Sequence, residues 1–272
     1  MNALHLAQVR GVLRLELRKG LLGRRALPVY LIGLLPLVAT FFFILVSTLV
    51  GSGPPQEFGG AGGAHLFFIA QFQFILRFVL YVGCVWIFMN LFRGEVIDRS
   101  LHYYFLTPIR REVLVAGKYL AAWTTASAVF GGSTALCYVV VHAYLGGASS
   151  ALSPPVLAVL FQYVGVVLLG CLGYGAVFLV VGLFLRSLIV PALVIFAWES
   201  LNTFLPAFLK KISVVFYLQG LIPLPPPDGP VSILAEPVSV WIALPGILLF
   251  TALTLVAAGW RIRHVEIAYG AD

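Results

Sequence analysis

The sequence predicts an all-α integral membrane protein. It should hold six transmembrane helices, an N-terminal amphipathic helix in the plane of the membrane, and a short cytoplasmic helix between spans two and three. Three observations carry this reading. Apolar residues make up 61% of the 272 and charged residues only 10%, with a mean hydropathy of +1.03, whereas a soluble domain carries about 25% charged residues. Six apolar stretches are long enough for a hydrocarbon core of about 30 Å, which takes about 20 helical residues to cross. The charges that remain gather at the ends of those stretches, where they set topology rather than coat a surface. No polar stretch is long enough for a soluble domain, so residues 1–272 form a single transmembrane domain.

The chain opens with an interfacial segment over residues 1–25. Leu6, Val9, Leu13, Leu17 and Leu21 recur at spacings of three and four, which makes one apolar stripe on a helix. Arg10, Arg14 and Arg18 recur every four residues beside it, where their stems can snorkel toward headgroups. Leu15 and Val12 fall off the stripe, and an ordinary basic flank with no in-plane helix is the competing reading. Gly23–Arg25 and then Pro28 let the chain bend into the first span. A cleaved signal peptide is not expected, because six basic residues precede a first apolar run too long for a signal core. Glu16 and the lack of Ser weaken an organellar transit peptide.

The six spans are residues 27–50, 66–92, 119–145, 156–185, 188–207 and 238–259. Spans two and four exceed the required length and should tilt or project. Only Leu185-Arg186-Ser187 separates spans four and five, so these should form a tight hairpin. An even number of spans puts both termini on one side. With that side cytoplasmic, fourteen Lys and Arg lie inside and two, Lys210 and Lys211, outside, while Arg77 lies within span two. This bias places both termini in the cytoplasm. The outer loops agree: residues 51–65 are Gly-rich with Glu57 alone, and residues 146–155 carry no charge. Residues 208–237 form a longer outer segment, in which Pro223–Pro230 should be extended polyproline II. The apolar part before it is either a short re-entrant or interfacial helix or a plain loop.

Residues 92–118 break the apolar pattern. Arg93, Glu95, Asp98, Arg99, Arg110, Arg111, Glu112 and Lys118 surround an aromatic run, Tyr103-Tyr104-Phe105. Glu95, Asp98 and Arg99 lie within about one turn and can share a helix face. Leu101, Tyr103, Tyr104 and Phe105 would add an apolar docking surface, and Thr107-Pro108 would end the helix. Membrane flanks alone would explain the basic residues but not the acids and the aromatic run.

The order of this loop carries a family resemblance. Phe92, Gly94 and Glu95 are followed by Ser100-Leu101, then Thr107-Pro108, Arg110 and Glu112, and finally Gly117-Lys118 at the opening of span three. With the amphipathic N-terminus and six spans, this resembles the ABC-2 type permeases, the transmembrane subunits of ABC transporters. The topological likeness covers nearly the whole chain and the motif likeness about 27 residues. The resemblance implies that the loop is a coupling helix seated in a groove of an ATPase. Glu95, Asp98, Arg99, Leu101, Tyr104, Thr107, Pro108 and Arg110 would make the contact. It also implies a separate ABC ATPase subunit that binds ATP and Mg, a second permease chain as homo- or heterodimer, and a multi-pass place in the plasma (bacterial inner) membrane. The chain has no Gly-x4-Gly-Lys-Ser/Thr sequence, and Gly59–Gly63 lacks the lysine. ATPase activity is therefore expected only in a partner subunit.

Within the spans, Arg77 and Glu199 should lie at similar depth in the outer half. A lone charge in hydrocarbon costs at least about 2.5 kcal/mol, so the two are expected to pair, within one chain or across a dimer, either structurally or as a pair that gates or contacts a substrate. Gln71, Gln73, Asn202 and Thr203 lie at similar depth and either line the same polar pocket or bond between helices. His142 reads as an interfacial histidine. His65 and His102 stand apart from other ligand types, so no metal or cofactor is expected. Cys84, Cys137 and Cys171 all fall inside apolar runs and read as small buried hydrophobes. Gly131-Gly132 in span three and Gly165, Gly170, Gly173 and Gly175 in span four should permit close helix packing.

The net charge of +7 sits at span ends, which points to anionic membrane lipids rather than nucleic acid as its partner. The resemblance to ABC-2 type permeases implies a permease subunit that couples ATP hydrolysis in a partner to export, and the apolar spans would suit an amphiphilic substrate. The alternatives are a mechanotransmission subunit, with no substrate crossing, and a purely structural subunit of a membrane complex. An intramembrane enzyme would need a Ser/His or paired Asp arrangement at matched depth, and none is found.

Overall fold

In a computed structural model the described residues are 11, 13–21, 23, 26–49, 60–97, 111–185, 189–204, 206–222 and 238–263, and all of their regular structure is helical. Residues 13–21 form the N-terminal helix α1. Then come α2 (Leu27–Leu49), α3 (Gly60–Phe74), a π-helical turn (Ile75–Val79), α4 (Leu80–Ile97), α5 (Arg111–Gly146), α6 (Ala148–Ala151) and α7 (Pro154–Phe184). The chain continues as α8 (Ile189–Ser200), a 3-10 turn (Leu201–Phe204), α9 (Ala207–Lys210), α10 (Val214–Gln219) and α11 (Val240–Arg263).

Five stretches are long and apolar enough to cross a membrane: Leu27–Leu49, Gly62–Leu91, Val113–Gly146, Pro154–Phe184 and Val240–Ile262. They coincide with expected spans one to four and six. The stretch expected as span five differs. Its α8 has 12 residues, about 18 Å at 1.5 Å per residue, which is less than the hydrocarbon thickness. The remainder is broken by the 3-10 turn and by Pro206, whose extended backbone precedes α9. The apolar segment that follows is helical at α10, where Val214, Val215 and Leu218 are buried against α7 and α11.

Local chemistry accounts for the boundaries. α7 starts with Ser153 in extended backbone and Pro154-Pro155 behind it, the first-turn position at which proline loses no hydrogen bond. Gly147, at φ +88°, turns the chain between α5 and α6, a conformation that costs glycine nothing.

Helix α7 is the most enclosed of the five long helices, and α2 and α11 are the least. Its small residues set how closely α4 approaches. A methyl group on Gly175 would lie 2.5 Å from the Phe88 ring, and one on Gly182 would lie 3.0 Å from the backbone oxygen of Met89. Gly170 and Gly173 are similarly tight, whereas Gly165 and Gly132 face open space, so the packing role expected of these glycines holds for part of the set. Polar bonds tie α2 to its neighbours. Ser133 Oγ donates to the carbonyl of Gly33, and Ser47 Oγ and Tyr144 Oη lie 2.7 Å apart. Gln71 Nε2 donates to the Pro36 carbonyl at 3.0 Å. With no water in the bilayer core to compete, such bonds order helices that lipid alone would not drive together.

Candidate functional site

Two regions place chemistry-bearing side chains: the base of the 92–118 loop and the polar groups inside the bundle. At the loop, Asp98, Arg99, Leu101, Tyr104, Thr107, Pro108 and Arg110 lie outside the described residues. Of Glu95 only the backbone is described, helical within α4. The structure thus gives the two helices that carry the loop, α4 and α5, and what holds the second in place.

Lys118, in the second turn of α5, is fully buried, and its Nζ lies 3.0 Å from Glu16 Oε1 on α1. Glu16 is 13% exposed and also lies 3.7 Å from Lys19. Leu114 and Val115 are buried beside Lys118. Further along, a methyl group on Gly20 would come within 3.0 Å of Thr125 Oγ1, so α1 lies directly against the first turns of α5. Tyr30 Oη donates to the Leu21 carbonyl at 3.0 Å and closes the corner between α1 and α2. On the other side α5 is bonded to α7: Tyr119 Oη donates to Leu172 O at 2.6 Å and Trp123 Nε1 to Leu168 O at 3.1 Å. The loop therefore rises into a helix clamped between the N-terminal helix and the core helix. Sequence reasoning missed this ion pair, although one signal was present: Glu16 is the lone acid of a basic segment, three residues from stripe position Leu13.

Inside the bundle, Glu199 lies in the last turn of α8 and is buried. Its Oε1 accepts from Val214 N at 3.0 Å, and its Oε2 accepts from Val215 N at 3.0 Å, Ser213 Oγ at 2.7 Å and Tyr174 Oη at 3.3 Å. The carboxylate thus receives the first free N–H groups of α10, as an anion does at any helix N-terminus, and joins α8, α10 and α7. Arg77 does not reach it. Arg77 lies on the π-turn with its side chain exposed, and among the described residues it forms no ion pair with Glu199. The expected intramembrane pair is therefore not made within one chain.

The remaining polar residues divide as well. Gln71 bonds across to α2 rather than joining a pocket with Asn202. Asn202 is buried, and among the described residues neither its Oδ1 nor the buried Oε1 of Gln73 has a hydrogen-bond partner. The side chain of Thr203 is outside the described set. Tyr81 Oη donates to the Ala192 carbonyl at 2.6 Å, and its ring meets Phe196 edge-on at 5.3 Å, so Tyr81 ties α8 to α4.

At the end of the bundle away from the loop, His142 Nδ1 is 2.9 Å from the Tyr138 carbonyl, and its ring stacks on Tyr138 at 3.9 Å. His65 lies 6.5 Å from His142, centroid to centroid. Among the described residues no three His, Cys, Asp or Glu side chains group as metal ligands would. Cys84, Cys137 and Cys171 are free and buried.

No protein-family model, no curated protein and no solved structure matches the chain.

Proposed function

We propose that the chain is the transmembrane permease subunit of an ABC transporter. It takes its motion from a separate ATPase through residues 92–118 and exports an amphiphilic substrate. It works as one of two permease chains, with six spans, a coupling helix and both termini cytoplasmic in the plasma membrane. The observation that carries this reading is the buried Lys118–Glu16 pair, 3.0 Å between charged atoms. A loop that only joined two spans would need no such anchor. Here the helix that leaves the loop is bonded on one face to α1 and on the other to the α7 backbone. A push on the loop then moves α1, α5 and α7 together, which is the rigid-body transmission that such a transporter requires. The α8–α10 region completes a sixth, interrupted crossing in this reading.

The test is co-purification of the tagged full chain with an ABC ATPase encoded beside it, comparing wild type with Glu95→Arg. A wild-type complex that hydrolyses ATP, lost in the variant, is the expected result. Full assembly and activity in the variant removes Glu95 from the coupling surface. Failure of the wild type to bind any ATPase favours a structural subunit of a membrane complex.

A further inference from the structure

The π-turn at Ile75–Val79 sends one cation out of the bundle. Ile75, Leu76 and Val79 are buried, whereas Phe74 is 40% and Phe78 43% exposed, with Arg77 exposed between them. The two phenylalanine rings stack at 5.5 Å. A π-turn closes its hydrogen bonds one residue later than an α-turn and marks functional positions more often than chance. Here it groups Phe74, Arg77 and Phe78 on one outward face.

Among the described residues Arg77 meets no acid. Glu199, the buried acid of this half, already accepts from four donors. Depth then limits what else can reach Arg77. The first charge beyond this span at the loop end is Arg93. A hydrocarbon core of about 30 Å takes up about 20 residues back from Phe92, which puts its far boundary near Gln73. Arg77 sits four residues inside that boundary, about 6 Å along the helix, within snorkelling reach of the headgroups.

We propose that Arg77, bracketed by Phe74 and Phe78, holds the phosphate of an anionic phospholipid in the leaflet opposite the 92–118 loop. The planar guanidinium offers two parallel N–H groups to a phosphate, and the stacked rings lie against the acyl chain below it. The site requires no ATPase and stands whether or not the permease reading does.

The test uses the purified full chain, delipidated in detergent. Native mass spectrometry and the unfolding midpoint are followed during titration with phosphatidylglycerol or phosphatidylcholine, for wild type, Arg77→Met and Arg77→Lys. Wild type should prefer phosphatidylglycerol. Arg77→Met should bind it about tenfold more weakly, the effect of losing roughly one charge-assisted bond, with phosphatidylcholine, whose choline cation offsets the same phosphate, losing less and Arg77→Lys in between. Undiminished phosphatidylglycerol binding by Arg77→Met overturns the proposal. So does a wild-type dimer that Arg77→Met splits without changing lipid preference, because a second copy would then cover the residue. Should Arg77→Met fail to fold, equal lipid binding by Arg77→Lys and a Phe74→Ala/Phe78→Ala double variant, both matching wild type, overturns it equally.

Discussion

Replacing Glu16 by Leu should destabilise the protein far more than replacing Lys118 by Met, although each change removes the same ion pair. The asymmetry follows from burial. The Lys118 side chain is 0% exposed and that of Glu16 is 13% exposed, with Lys19 only 3.7 Å from the carboxylate. Glu16→Leu keeps helix propensity but leaves a fully buried ammonium without its carboxylate. Removing one partner of a buried pair costs roughly 3–5 kcal/mol, and the slight exposure of Glu16 argues for the lower end, about 3 kcal/mol. That is a change of about a hundredfold in the unfolding equilibrium. Lys118→Met leaves Glu16 beside Lys19 and partly solvated, fills the space with an apolar chain, and should cost about 1 kcal/mol. The double variant should recover most of the Glu16→Leu loss, since the buried ammonium is gone. Denaturation of the purified protein in mixed micelles, followed by circular dichroism, measures all four states. A Glu16→Leu loss below about 0.5 kcal/mol, or a Lys118→Met loss larger than that of Glu16→Leu, would refute the claim that a desolvated pair holds α1 to α5.

Other features yield their own expectations. Glu199→Gln turns one carboxylate oxygen into an NH2 group facing a backbone N–H of α10; it should cost about 2 kcal/mol and speed amide exchange at residues 213–219 before the rest of the fold loosens. Gly175→Val, whose first added carbon meets the Phe88 ring at 2.5 Å, should cost about 1–3 kcal/mol, while Gly165→Val, which faces open space, should unfold within about 0.5 kcal/mol of wild type. Tyr81→Phe removes the bond to the Ala192 carbonyl and should lower stability by about 1 kcal/mol, visible as earlier proteolysis near α8.

The long helices were legible because membrane crossing depends on length and hydropathy, both of which are local properties of sequence. Residues 27–50 and 156–185 were expected as spans and are helical over Leu27–Leu49 and Pro154–Phe184. Residues 188–207 were harder. Their composition suits a span, but the break at Leu201–Phe204 comes with Glu199 turning to bond Val214 and Val215, fifteen and sixteen residues ahead. No window average contains that contact. The same limit applies to Glu16 and Lys118, separated by 102 residues. Arg77 and Glu199 read from the sequence as charges needing partners, but depth alone cannot say which way a side chain points. A π-turn rotates Arg77 outward, and Glu199 found neutral donors instead of a cation.

The bonding of Glu199 bears on how the protein is assembled. A 12-residue helix ending in an acid has little reason to enter a bilayer by itself. Three of the four donors to that acid, however, come from residues 213–215, and only Tyr174 comes from an earlier helix. Residues 189–215 can therefore satisfy most of the Glu199 carboxylate among themselves once Val215 has been synthesised. This unit then docks on α7, which is already in place. On this account α8 joins the bundle together with the segment that satisfies its acid, and a truncation before Ser213 should leave Glu199 without three of its four donors.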